Sequence, residues 1–70
     1  MNEKLYELLR TSAEADYAKG RLTLNLLNEK AVGVGEHSTK DFYDNAEEAL
    51  ALMKDAKDRL DMLKEIKREI

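Results

Sequence analysis

The residues best suited to chemistry stand together in one short stretch, where Glu36 precedes His37. A carboxylate beside an imidazole can act as a general base or bind a metal ion. Asp41 and Asp44 follow as further oxygen ligands, but a metal site needs three or four ligands at fixed spacing, and acids at a helix start are explained by the helix dipole. The chain has one His, no Cys and no Glu-x-x-His pair of the di-iron bundles. We therefore predict no catalytic residue, no metal ligand and no cofactor.

The glycines Gly33 and Gly35 in the same stretch suggest a phosphate-binding loop at first sight. A P-loop has four residues between its glycines and Lys-Ser or Lys-Thr after the second, whereas a dinucleotide fingerprint follows a strand. Neither condition is met, and the first amides of a helix starting at Ser38 would bind an anion only weakly. The pattern instead predicts a structural turn over residues 33–37, in which Gly33 ends one helix and His37 packs beside the N-cap Ser38 of the next.

Beyond the turn, apolar residues recur at alternating steps of four and three, which is the heptad seam of a helix packed lengthwise on another. The seam positions are Phe42, Ala46, Ala49, Met53, Ala56, Leu60, Leu63, Lys67 and Ile70. All of them except Lys67 are apolar. We predict a helix over about residues 38–69, which begins at the N-cap Ser38 with Asp41 three residues on, as in a capping box. Asp55 and Arg59 have the acid-first i,i+4 order that stabilises a helix surface.

Before the turn, a helix over about residues 2–32 is predicted, with Asn2 as its N-cap. Gly20 interrupts its interior and costs about 1 kcal/mol relative to Ala. Two apolar stripes run along this helix at about 100° per residue. One stripe contains Leu8, Ala15, Leu22 and Leu26; the other contains Tyr6, Ala13, Tyr17, Leu24 and Ala31, flanked by Leu9 and Leu27. Two stripes predict contacts in two directions, and hence a bundle of more than two helices.

Two polar residues, Asp16 and Lys19, lie between these stripes. One interpretation is a buried polar pair that fixes the register of a bundle. The other is that both side chains extend to solvent from a groove between helices. The sequence leaves these two interpretations open.

A short turn makes the two helices antiparallel neighbours, so the predicted fold is an all-α helical hairpin, with residues 1–70 as one domain. Seventy residues without a Cys rarely build a sufficient core without a partner chain. We predict a homodimer that forms a four-helix bundle with coiled-coil-like packing; a trimer, a tetramer and a domain swap stay open. The helices should approach most closely where small residues coincide. These residues are Ala13, Ala15, Ala18 and Gly20 on the first helix and Ala49, Ala51 and Ala56 on the second.

Charge argues against nucleic acid and membranes as partners. The net charge is -3 and the pI is about 5.1, which gives no general attraction to nucleic acid or anionic lipid. Five acids are interleaved with the bases of helix two, so solvated ion pairs are the better interpretation of that face. The bases are Lys54, Lys57, Arg59, Lys64, Lys67 and Arg68. Tyr6, Tyr17 and Tyr43 are read as core-edge residues rather than base-stacking platforms. With no membrane-length apolar run and no signal-peptide core, we expect a cytoplasmic protein.

The stretch Val32-Gly33-Val34-Gly35-Glu36-His37, followed in helix two by Lys57-Asp58-Arg59-Leu60-Asp61-Met62-Leu63, resembles short proteins of T-even-like tailed bacteriophages. Those proteins carry a V-G-I-G-E-H turn and then an acidic, Leu-bearing helix. Here Val34 stands in place of the Ile, and Ser38-Thr39 in place of a frequent Pro-Asp. The resemblance covers roughly the C-terminal 40 residues. It implies a phage accessory protein made in the bacterial cytoplasm, and it brings no assigned activity.

These features together predict a small non-enzymatic protein that acts through helical surfaces in protein–protein interaction, assembly or regulation. The expected partners are a second copy of the chain and, beyond it, another protein. The alternative is a Rop-like dimer that binds RNA with paired helix faces. That alternative rests on shared architecture and on the bases of helix two, and fold analogy alone is a weak warrant for function.

Overall fold

The computed structural model describes residues 1–30 and 39–69. In these residues the chain forms two helices, α1 (Glu3–Lys30) and α2 (Thr39–Glu69), which pack against each other as a hairpin. The all-α hairpin is confirmed. α1 begins one residue after its predicted start, and α2 ends at residue 69 as predicted. The predicted end of α1 at residue 32 and the predicted start of α2 at residue 38 lie outside the described residues. The turn at residues 33–37, the cap at Ser38, and the predictions for Glu36 and His37 lie outside the described residues.

The start of α1 follows from its capping residue. The Asn2 side-chain oxygen accepts hydrogen bonds from the backbone N–H groups of Lys4 at 2.8 Å and Leu5 at 3.2 Å, which confirms the predicted N-cap. Acids occupy the first turn of each helix and bases the last turn, as Glu3 and Lys30 do in α1. Both arrangements complement the helix dipole.

Three contacts fix the two helices as antiparallel. Near the free end of the hairpin, the Lys67 ammonium lies 4.9 Å from the ring centroid of Tyr6. In the middle, Arg59 donates to Asp16 at 2.6 Å. Toward the turn, Gly20 lies against Ala49. Residue numbers rise along α1 as they fall along α2, which is the arrangement that the short connection predicted.

The helices approach most closely at a row of small, buried residues: Ala13, Gly20, Ala49 and Ala56. A Cβ atom added to Gly20 would lie only 2.7 Å from the Ala49 carbonyl oxygen and 2.7 Å from Met53 Cγ. The glycine is therefore a requirement of packing rather than a defect of the helix. The predicted cluster is confirmed at these four positions. It is wrong at three others, which are exposed: Ala15, Ala18 and Ala51.

This interface is thin, and it leaves much of the hairpin in solvent. Among the described residues, the buried apolar ones are Ala13, Ala49, Ala56 and Leu63. The larger seam residues Phe42, Met53 and Leu60 are half-buried. The chain exposes 5768 Å², whereas a compact 8.0 kDa protein would expose about 4,500 Å². The excess, about 1,300 Å² on the same scaling, is surface that a single hairpin cannot cover.

Candidate functional site: an exposed apolar face of α1

The two predicted apolar stripes of α1 differ in their exposure to solvent. Tyr6, Ala13, Tyr17 and Leu24 are buried or half-buried against α2, so this stripe forms the intramolecular interface. The other stripe consists entirely of exposed residues, namely Leu8, Ala15, Leu22 and Leu26. Contacts in two directions were predicted, and the hairpin itself supplies one of them. The second direction points away from α2.

The exposed stripe is part of a longer heptad pattern, which we call the free seam. Its residues are Met1, Leu5, Leu8, Ser12, Ala15, Lys19, Leu22 and Leu26. The steps between them alternate four and three without a break, as in a coiled-coil helix. All eight are exposed in the hairpin, Leu8 to 68% and Leu22 to 59%. The helix α1, from Leu5 to Leu26, therefore carries a packing seam that has no partner within the described chain, and Met1 stands just before it.

The apolar surface continues from the free seam onto α2. A groove between the helices is lined by Leu9, Ser12, Arg59, Met62 and Leu63. Because Ser12 belongs to the free seam, this groove joins the seam to Met62, which is 57% exposed. Of the nine large apolar side chains that are exposed in the described residues, seven lie on the free seam or beside this groove. The exposed apolar surface is thus concentrated on one side of the hairpin.

The remaining two exposed apolar residues, Tyr43 and Leu50, lie on the other side of α2. They are rotated from the buried line of Ala49 and Ala56 in the direction opposite to Met62. A hydrogen bond to Glu47 raises the pKa of the Tyr43 hydroxyl above its usual value. This second patch is smaller, and its surroundings are acidic.

A polar cluster borders the groove at mid-length. Arg59 donates through Nη2 to Asp16 on α1 at 2.6 Å and through Nε to Asp55 on α2 at 3.0 Å. The hydrogen bond to Asp16 is the main reason that the pKa of the Arg59 guanidinium is raised. Asp16 is half-buried and Lys19 is exposed. The predicted buried Asp16–Lys19 pair is therefore wrong: Asp16 binds Arg59 on α2 instead, and Lys19 extends to solvent, as the second interpretation had it.

The Asp16–Arg59 pair links the helices, and its removal should loosen the hairpin slightly. We expect Asp16→Asn to lower the melting temperature by no more than about 7 °C, because a partly exposed ion pair contributes about 1 kcal/mol at most. Asp55→Asn is the matched control, since Asp55 binds the same guanidinium from within α2. It should have a smaller effect. Thermal melts in low salt and in 1 M NaCl test this, because screening should shrink the difference; an equal effect of both variants would contradict the cross-helix role.

The bases of α2 are partly neutralised, as the alternation of signs predicted. Lys54 binds Asp58 at 2.9 Å, and Arg59 binds its two aspartates. Lys67 lies over the Tyr6 ring, which explains how a base occupies a seam position: its stem covers apolar surface while the ammonium meets an aromatic face. The carboxylates that pair with Lys54 and Arg59 weaken the field that an RNA backbone would meet.

The described residues contain neither a cluster of metal-ligand side chains nor a helix that could span a membrane. Within residues 1–30 and 39–69, no three acidic or imidazole groups converge as metal ligands would. Neither α1 nor α2 is apolar enough over its length to cross a membrane. Glu36 and His37, the residues that opened the metal question, lie outside the described range.

Four of the eight residues of the free seam were predicted as one apolar stripe. These are Leu8, Ala15, Leu22 and Leu26, and the prediction did not join them to Met1, Leu5, Ser12 and Lys19. The missed signal was the unbroken alternation of steps of four and three, which two polar residues in the middle concealed.

Comparisons with known proteins add no relative to this picture. No protein-family model matches the chain, and neither the curated proteins nor the solved structures give a match.

Proposed function

We propose that this protein is a small non-enzymatic interaction module, which self-associates through the free seam so that two hairpins form a four-helix bundle. The observation that carries the proposal is the set of seven exposed positions with heptad spacing on α1, which Met1 continues just before the helix. Exposed apolar surface that is contiguous and rimmed by polar residues marks an interaction site in soluble proteins. The heptad spacing specifies that the partner surface is another helix.

The amount of surface fits a stable association. The hairpin exposes about 1,300 Å² more than a compact chain of its mass, on the average scaling for folded proteins. A standard protein–protein interface buries about 800 Å² on each partner. A second copy seated on the free seam would run along α1, whose 28 residues span about 42 Å. The excess belongs to the whole elongated chain, and it is larger than the area that one interface of ordinary size buries on each partner.

The biological setting follows from the sequence resemblance. A short phage-like protein that lacks a catalytic constellation fits a role as an accessory, assembly or regulatory factor in the bacterial cytoplasm. In the proposed dimer, the side of α2 that carries Tyr43 and Leu50 stays exposed. That side is available to a further protein partner.

The Rop-like RNA-binding dimer is the weaker alternative. It requires bases whose charge is available to phosphates. Lys54, Arg59 and Lys67 are each engaged within the chain. The overall charge is also negative, at -3.

Solution mass tests the proposal directly. Light scattering over a dilution series through the micromolar range should give twice the 8.0 kDa chain mass. A helical signal in circular dichroism should accompany that mass at every concentration. A folded chain that stays monomeric across the whole range would contradict self-association.

A further inference from the structure

We infer that the dimer is antiparallel and has one register, in which the free seam of α1 packs against the same seam of the partner about a two-fold axis between Ala13 and Glu14. This inference rests on the proposed self-association and specifies its geometry. It follows from the order of side chains along the seam and from Lys19.

In the antiparallel orientation, every position of the free seam faces a free-seam position of the partner. In antiparallel heptad packing, the two kinds of seam position alternate across the interface. With the axis between Ala13 and Glu14, Leu5 faces the partner's Leu22, and Ser12 faces the partner's Ala15. At the ends, Met1 faces the partner's Leu26. All eight positions then have a counterpart, with small residues meeting at the centre and large ones toward the ends.

Neighbouring registers pair fewer residues. Moving the partner by one heptad in either direction leaves large apolar residues at an end of the seam without a counterpart. It also sets Ser12 against a leucine of the partner, Leu8 or Leu22 according to the direction. Ser12 and Ala15 are the small residues at the centre of the seam. They allow the two backbones to approach closely only where Ser12 of one copy faces the partner's Ala15. The described register is therefore the one that combines full coverage with matched size.

Lys19 disfavours the parallel alternative. A parallel dimer in register would place the Lys19 ammonium directly against the partner's Lys19, at a seam position where water is scarce. Like charges so placed repel each other. In the antiparallel register Lys19 faces the partner's Leu8 instead. Its aliphatic stem covers that leucine while the ammonium reaches solvent.

Disulfide trapping tests the register, because the chain has no Cys of its own. The variants are Leu8→Cys and Lys19→Cys, mixed under reducing conditions and then oxidised. We expect the mixed disulfide to form at least about tenfold faster than either self-disulfide, since a disulfide needs Cα atoms within about 7 Å. In this register Leu8 faces the partner's Lys19, whereas it lies about 16 Å along the axis from the partner's Leu8. Leu50→Cys, on the opposite side of the hairpin, is the control for random collision.

The outcomes separate the register from the dimer. Dominant self-disulfides of Leu8→Cys or of Lys19→Cys would show a parallel dimer and overturn the inference. A reduced mixture that has dimer mass but forms no mixed disulfide above the Leu50→Cys level would overturn the register while self-association stands. A monomeric mass for wild type and both variants would overturn self-association as well. Lys19→Cys removes no apolar residue, so its self-reaction remains a test even if Leu8→Cys weakens the dimer.

Discussion

Replacing Leu22 by Asp is expected to dissociate the proposed dimer while leaving the hairpin folded. Leu22 is 59% exposed in the single chain, so the substitution removes little from the α1–α2 interface. In the proposed dimer the same side chain would be covered, and the two-fold axis would double the effect. Each lost leucine contributes about 1.5–3 kcal/mol, and an unpaired buried carboxylate adds a further penalty. We expect a loss of at least about 4 kcal/mol, or roughly a thousandfold in Kd.

Leu50→Asp is the matched control for this experiment. Leu50 is the same residue type with the same 59% exposure, but it lies on the side of α2 that is turned away from the free seam. Sedimentation equilibrium should give monomer for Leu22→Asp and dimer for Leu50→Asp at equal concentration, with circular dichroism showing helix in both. The reverse pattern would place the interface on the Tyr43 side and exclude the free seam.

The fold was predictable because it rests on local signals. The heptad spacing from Phe42 to Leu63 and the cap at Asn2 depend on residues near in sequence, and a hairpin follows from two such helices with a short connection. The choice between the two stripes of α1 was not predictable in the same way. Both stripes are apolar and both contain Leu and Ala, so periodicity alone cannot say which one meets α2.

Gly20 is the residue in the sequence that could have shown which stripe of α1 packs against α2. A glycine inside a long helix indicates a close backbone approach, and Gly20 stands on the same side of α1 as Ala13. The polar contacts between the helices could not be predicted without knowing which residues of α1 and α2 lie at the same level. Asp16 lies three residues from Lys19, yet it pairs with Arg59, which is 43 residues away. Lys67 likewise has its aromatic partner, Tyr6, at the other end of the chain. Such partners become visible only when the level of one helix against the other is known.

Gly20→Ala is expected to destabilise the protein, against the usual preference of helices for alanine. At an open helical position the change would stabilise by about 1 kcal/mol. Here the new Cβ would lie 2.7 Å from the Ala49 carbonyl oxygen and from Met53 Cγ. The Met53 side chain can move aside, but the carbonyl belongs to the α2 backbone, so the helices must separate and the neighbouring contacts of Ala13 and Ala56 loosen. Overpacking of this kind costs about 3 kcal/mol at the upper end of its usual range.

The net effect of Gly20→Ala is therefore a loss of about 2 kcal/mol in the free energy of unfolding, after alanine's helix preference offsets part of the overpacking cost. Urea denaturation at one fixed protein concentration measures it, since the stability of the proposed dimer would depend on concentration. Ala18→Gly is the control: Ala18 is exposed on the same helix, and there glycine should cost the ordinary amount of about 1 kcal/mol. A stabilised Gly20→Ala protein would mean that α1 and α2 do not touch at this level, and the assignment of the inward and outward faces of α1 would have to be exchanged.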